Sequence, residues 1–155
     1  MTKSIDNDKP VAKVLFVEDD KFWARAYIRE LQDSGFDVIY ARSARDAVDL
    51  LNNSLDFDAV ILDIMMPTPD EVADTVTEEG MSTGLWVLEQ IKHLIAPNML
   101  CVSILTNRDL AAVTEKINEI GNLQKDLVDI YRKRDFLSNV LHTYLLAKIK
   151  RNRLQ

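Results

Sequence analysis

Cysteine occurs once in the 155 residues, at position 101, so the chain forms no internal disulfide and offers no cysteine pair to a structural metal. Basic residues are outnumbered, 19 Lys and Arg against 25 Asp and Glu. A net charge of −6 excludes a general nucleic-acid binder, because counterion release from phosphates needs clustered lysines and arginines. Long apolar runs are missing too. The opening MTKSIDNDKPVAK has no apolar core of signal-peptide length, and no later run reaches membrane-spanning length. These absences set the expectation of a reducing, cytoplasmic protein without membrane insertion. Phosphate loops of the G-x-x-x-x-G-K type and dinucleotide fingerprints do not occur, so no nucleotide cofactor is implied. Internal repeats and low-complexity tracts are lacking as well.

What the chain has is a balance of 47% hydrophobic and 28% charged residues, which suits one soluble domain and leaves no room for a second full one. Residues 1–12 are polar with a proline and read as a loose tail. From there the pattern alternates. KVLFV (13–17), FDVIYA (36–41), AVILD (59–63), MLCVSILT (99–106) and LVDIY (127–131) read as strands. Between them lie stretches with helical spacing: Ala24, Ile28 and Leu31 after Asp20; Ala44, Ala47, Val48 and Leu51 after the capping Ser43; Gly84 to Ile95; Leu110 to Ile120. A last helix is expected over Phe136 to Ile149. Five short strands alternating with five helices predict a doubly wound, five-stranded parallel sheet with helices on both faces. Chemistry in such a fold sits beyond the carboxyl ends of the strands.

Those ends carry acids. The first strand runs into Glu18, Asp19 and Asp20, and the third ends on Asp63. With the strand order 2-1-3-4-5 the first and third strands are neighbours, and the acids meet. Two carboxylates about 4 Å apart repel by roughly 4 kcal/mol at an effective dielectric near 20, so the cluster needs a proton or a cation. Hard oxygen donors with room for water suit magnesium. Thr106 ends the fourth strand, and Lys133 follows the fifth. Acids, hydroxyl and amine on one sheet edge suit phosphoryl transfer, in which positive charge and hydrogen-bond donors neutralise the phosphoryl oxygens.

VLFVEDD, VILDIMMP, GLWVLEQIK, ILT and YRK, taken together, resemble the receiver domains of two-component response regulators, a flavodoxin-like family, over residues 13–151. The resemblance implies that Asp63 accepts a phosphoryl group from a histidine kinase or a histidine phosphotransfer protein. It implies Mg²⁺ held by Asp19, Asp63 and the backbone carbonyl of Met65, with Glu18 acting through water. Thr106 would swing to the phosphoryl oxygen, Lys133 would pair with its charge, and the change would pass to a downstream protein target. Such a domain is a signalling switch and not a turnover enzyme. The chain reads either as a stand-alone receiver or as a fragment of a larger regulator. A pseudo-receiver, an interaction module without phosphotransfer, is the alternative.

Three features depart from the family pattern. An acidic insertion at about 68–83 carries Asp70, Glu71, Asp74, Glu78 and Glu79 with no basic residue. Connections of that length are solvated loops or functional ones, and a functional one here would shape access to Asp63. After the fifth strand, KRDF replaces the usual lysine and proline. Lys133 or Arg134 can take the lysine position, which leaves Ile130 or Tyr131 as the switch residue. Asn107 stands where the family has a small residue. Elsewhere GMSTG matches a serine-hydrolase pattern around Ser82 but lacks the preceding strand. His93 and His142 have no second ligand at metal spacing. The last helix has a broad apolar face, whose exposed part would be a homodimer or partner surface. Lys148, Lys150, Arg151 and Arg153 read as a solvated basic end, with 152–155 a basic tail.

Overall fold

The computed structural model describes residues 9–54, 56–135 and 138–154. The expectations for residues 1–8, for Phe136 and Leu137, and for Gln155 lie outside the described residues. Strands β1 (Lys13–Val17), β2 (Asp37–Ala41), β3 (Ala59–Asp63), β4 (Cys101–Thr106) and β5 (Val128–Arg132) pair in parallel in the order β2-β1-β3-β4-β5. Helices α1 (Lys21–Asp33), α2 (Ala44–Asn53), α3 (Thr83–Asn98), α4 (Leu110–Asn118) and α5 (Ser138–Arg153) complete the alternation. The doubly wound parallel fold expected from the periodicity is therefore the fold observed.

Every residue of β3 and β4 is buried, as befits strands covered on both faces, whereas the edge strand β5 is only half-buried. Two apolar clusters flank the sheet. One packs β-strand residues such as Leu15, Leu62 and Ile104 against α2, α3 and α4. The other packs Phe16, Ile61 and Leu105 against α1 and α5. Each fully buried Leu, Ile or Phe contributes roughly 1.5–3 kcal/mol, so these two layers dominate stability. Local signals start and stop the helices. Asp20 accepts from the N–H groups of Phe22 and Trp23, Ser43 from Asp46, and Asp109 from Ala112. Gly35, at φ +93°, takes the left-handed turn that ends α1.

Several boundaries differ from the sequence reading. Met99 adopts the left-handed conformation as the C-cap of α3, so β4 begins at Cys101. Val11 and Ala12, expected in the loose tail, bond to Gly35 and Asp37 and extend the sheet margin. Of the basic tail expected over 152–155, Asn152 and Arg153 are corrected: α5 runs through Arg153, Asn152 is buried and donates to Cys101 Sγ, and Arg153 pairs with Asp58 at 2.7 Å. Burial also pushes the Cys101 thiol above its ordinary pKa.

Lys148, expected to be solvated, is buried. Its ammonium lies 2.6 Å from Asp129 Oδ2 and donates to the carbonyl of Leu127 at 2.9 Å. A long apolar stem carries the charge beneath the helix to a polar niche at the start of β5. Lys148→Met keeps the stem and removes the charge, leaving a carbonyl and a carboxylate short of a partner. Urea unfolding should show a loss of about 2 kcal/mol. A midpoint equal to that of the wild type would show the ammonium to be dispensable.

Candidate functional site

Strand register brings the polar residues together. Val17 pairs with Leu62, which sets Glu18 and Asp63 side by side just past that pair. Asp63 pairs with Leu105, and Thr106 pairs with Arg132, so Thr106 and Lys133 follow on the same sheet edge. Glu18, Asp19 and Asp63 each offer an oxygen, and these atoms all lie within 4.8 Å of one another. Glu18 and Asp63 are buried, whereas Asp19 is exposed.

Lys133 reaches into this cluster from a 3-10 turn over Lys133–Asp135. Its Nζ lies 2.6 Å from Glu18 Oε2 and 3.3 Å from Asp63 Oδ2. The ammonium also sits 4.0 Å from the centre of the Trp23 ring, which stacks on Tyr27. Among the described residues the ion pairs to Glu18 and Asp63 come from Lys133 and not from Arg134. Ile130 and Tyr131 face opposite sides of β5, Ile130 toward the α2, α3 and α4 layer and Tyr131 toward α1 and α5. Tyr131 meets Tyr144 edge to face. The sequence pattern did not reveal the Trp23 contact, because aromatic residues at helical spacing read as ordinary packing.

Electrostatics follow from burial. Desolvation, reinforced by Asp63, raises the Glu18 carboxyl to about 8, with Lys133 opposing. Desolvation likewise raises Asp63, against the lowering pull of Lys133. Burial alone would lower the Lys133 ammonium, but its close contact with the Glu18 carboxylate, to which it donates, and the charge of Asp63 outweigh it and hold the group above its ordinary value. The three groups thus form a tight, strained charge set. Around it, the Asp20 N–H donates to Glu18 Oε1 at 3.0 Å, and the Tyr40 hydroxyl donates to the Glu18 carbonyl at 2.7 Å. The Met65 N–H donates to Asp63 Oδ1 at 3.4 Å, and the Met65 side chain is half out of the fold. Thr106 is fully buried, and its hydroxyl accepts the N–H of Arg108 at 3.0 Å.

The acidic insertion is folded at both ends. Thr77 is fully buried and shares a hydrogen bond with the Thr68 hydroxyl. The Thr83 hydroxyl donates to the Met66 carbonyl at 2.6 Å, and the Met66 N–H donates to the Gly80 carbonyl. Two of its acids find cations supplied by other elements: Glu71 pairs with Arg45 of α2, and Glu78 pairs with Lys116 of α4. Ser82 caps α3 without a side-chain bond to that helix, because its hydroxyl instead accepts from the Arg108 guanidinium at 2.8 Å. Two residues on, Gly84 lies against the acceptor strand, where an added Cβ would stand 2.2 Å from the Asp63 carbonyl oxygen.

A parallel five-stranded sheet carrying a buried carboxylate, a lysine and a hydroxyl on its carboxyl edge defines a receiver-type signalling fold. No family model matches the chain. Among curated proteins it is 28% identical over 140 residues to the uncharacterized transcriptional regulatory protein YrkP of Bacillus subtilis, covering 90% of this chain and 50% of the relative. It is 31% identical over 105 residues to response regulator MprA of Mycolicibacterium vanbaalenii, covering 68% of this chain and 38% of the relative. The chain therefore spans half or less of the length of these curated relatives. A CheY-like response regulator receiver domain from Methanospirillum hungatei superimposes with a TM-score of 0.69 at 19% identity, over 92% of this chain and 97% of that one. The chain is a response regulator receiver domain. Among the described residues no helix is long and apolar enough to cross a membrane.

Proposed function

We propose that the chain is a phosphoacceptor switch in which Asp63 takes a phosphoryl group from a phosphohistidine of a histidine kinase or phosphotransfer protein. The observation that supports this most directly is Lys133 Nζ lying between Glu18 and Asp63 at 2.6 and 3.3 Å on the sheet edge. In the reaction an Asp63 carboxylate oxygen bonds to phosphorus while the P–N bond breaks. The electron pair stays on the imidazole nitrogen, which takes a proton. Lys133 neutralises the phosphoryl charge, and the buried Thr106 hydroxyl moves to donate to a phosphoryl oxygen.

The donor set suits a hard divalent ion: three carboxylates with oxygens within 4.8 Å of one another, one of them open to water. Asp19, Asp63 and the Met65 carbonyl would hold magnesium, with Glu18 reaching it through water. When bound, the ion offsets the negative charge gathered on the transferring group. The receiver is then a relay, biased between two arrangements by phosphorylation and read by a downstream protein in the cytoplasm. The MprA and YrkP names, a response regulator and a transcriptional regulatory protein, agree with such a relay.

Acetyl phosphate and a phosphohistidine donor, each with magnesium, test the reading by intact mass. The wild type should gain one phosphoryl group, Asp63→Ala none, and excess chelator should suppress the gain. An unmodified wild type with both donors, or equal labelling of Asp63→Ala, would overturn it.

A further inference from the structure

Arg108 stands two residues beyond Thr106 and is bonded at both of its ends. Its backbone N–H donates to the Thr106 hydroxyl at 3.0 Å. Its guanidinium, with a side chain only 15% exposed, donates to Ser82 Oγ at 2.8 Å and to the Met81 carbonyl at 3.0 Å, and lies 3.6 Å from Glu78. Met81 and Ser82 close the insertion, and Gly84 two residues on abuts the Asp63 carbonyl. Lys116 adds a second ion pair to Glu78 from α4. One side chain therefore ties the hydroxyl-bearing end of β4 to the insertion, and through the insertion to the acceptor strand.

This arrangement has an energetic consequence. If the Thr106 hydroxyl swings toward a phosphoryl oxygen, the Arg108 N–H loses its acceptor. A free loop would follow and restore the bond. The loop here is held by three side-chain contacts of Arg108, so following means breaking them. Contacts made in one arrangement and lost in the other bias the equilibrium toward the first.

We propose that Arg108 is a positioning residue that clamps the Thr106 loop to the insertion and holds the receiver in its unphosphorylated arrangement, so that the insertion sets the threshold of the switch. This rests on the phosphoacceptor reading. It gives the otherwise unassigned acidic segment a role in the chain's own equilibrium.

The test is titration of the full chain with beryllofluoride and magnesium, followed by backbone NMR. Arg108→Ala should bind about fivefold more tightly or better, the low end of ordinary site-to-site coupling. A residue that merely supported the fold would weaken binding when removed, so the sign separates the two roles. Glu78→Gln and Ser82→Ala keep Arg108 and remove part of its hold. Both should tighten binding to a lesser degree, and they carry the test if Arg108→Ala does not fold. Without metal or beryllofluoride, loosening the clamp should also speed amide exchange across residues 78–84. Affinities equal to or weaker than that of the wild type in the folded variants would overturn the clamp alone. A wild type that does not respond to beryllofluoride would overturn the phosphoacceptor reading and the clamp with it.

Discussion

Gly84→Ala is expected to cost roughly 3 kcal/mol or more of stability and to abolish phosphorylation of whatever remains folded. An alanine Cβ would sit 2.2 Å from the Asp63 carbonyl oxygen and 2.7 Å from Ile64 Cα, distances that only movement of the backbone relieves. No side-chain rotation helps, because the obstructing atoms are main chain. Helix propensity works the other way, since alanine gains about 1 kcal/mol over glycine inside a helix. The clash is larger, so destabilisation wins. Relief requires α3 to back away from β3, which breaks the Gly84 N–H bond to the Ile64 carbonyl at 2.8 Å and shifts the acceptor strand. Chemical denaturation measures the first effect and intact mass after acetyl phosphate treatment the second. A variant as stable as the wild type, or about 1 kcal/mol more stable as propensity alone dictates, would refute the close-packing account.

Stability without a divalent ion is expected to fall by a few kcal/mol as pH rises from about 4.5 to about 8, at ~1.4 kcal/mol per pKa unit. Glu18 carries most of the effect, and the Asp63 carboxyl, also raised by burial, adds to it in the same direction. Burial, then the charge of Asp63, raises its folded value to about 8 from an unfolded value near 4.5, so the folded state holds its proton more tightly. The stabilisation from that proton is fully present below the unfolded value and is lost as pH climbs through the folded one. Denaturant midpoints across this window, measured with chelator, should trace the decline. Glu18→Gln removes the main titrating group and should make the decline shallower, with the remainder due to the raised Asp63 carboxyl, while saturating magnesium should raise the alkaline end by neutralising the acids another way. A wild-type curve that rises toward pH 8 under chelation would contradict the assignment of the strain to Glu18.

The sequence revealed most where local chemistry and topology agreed. The fully buried β3 and β4 appeared as largely apolar runs, broken in β4 only by Ser103 before the terminal Thr106, and the acids of Glu18, Asp19 and Asp63 interrupted that logic visibly enough to mark the sheet edge. The alternating pattern implied a doubly wound parallel sheet, while the order 2-1-3-4-5 came from likeness to flavodoxin-like folds and is the order observed. What stayed hidden depends on long side chains travelling across the fold. Lys148 looks solvated in a basic run, yet its stem carries the ammonium under α5 to Asp129. Trp23 looks like packing, yet its ring faces the Lys133 ammonium. Arg108 occupies an unremarkable loop position, and its partners Ser82 and Glu78 are more than twenty residues away. The insertion read as one more acidic loop because its neutralising cations, Arg45, Arg108 and Lys116, are scattered over other elements. Periodicity reports which face of an element is apolar; it does not report where a flexible cation ends.

Cys101 lends the protein to probe chemistry. Its sulfur is enclosed by the sheet and by Asn152, and burial lifts its pKa, so thiol-directed dyes and spin labels find no reactive anion on the native fold. A cysteine placed at exposed Glu79 would therefore be the one addressable position, and a label there would report motions of the acidic segment without first engineering away the native thiol.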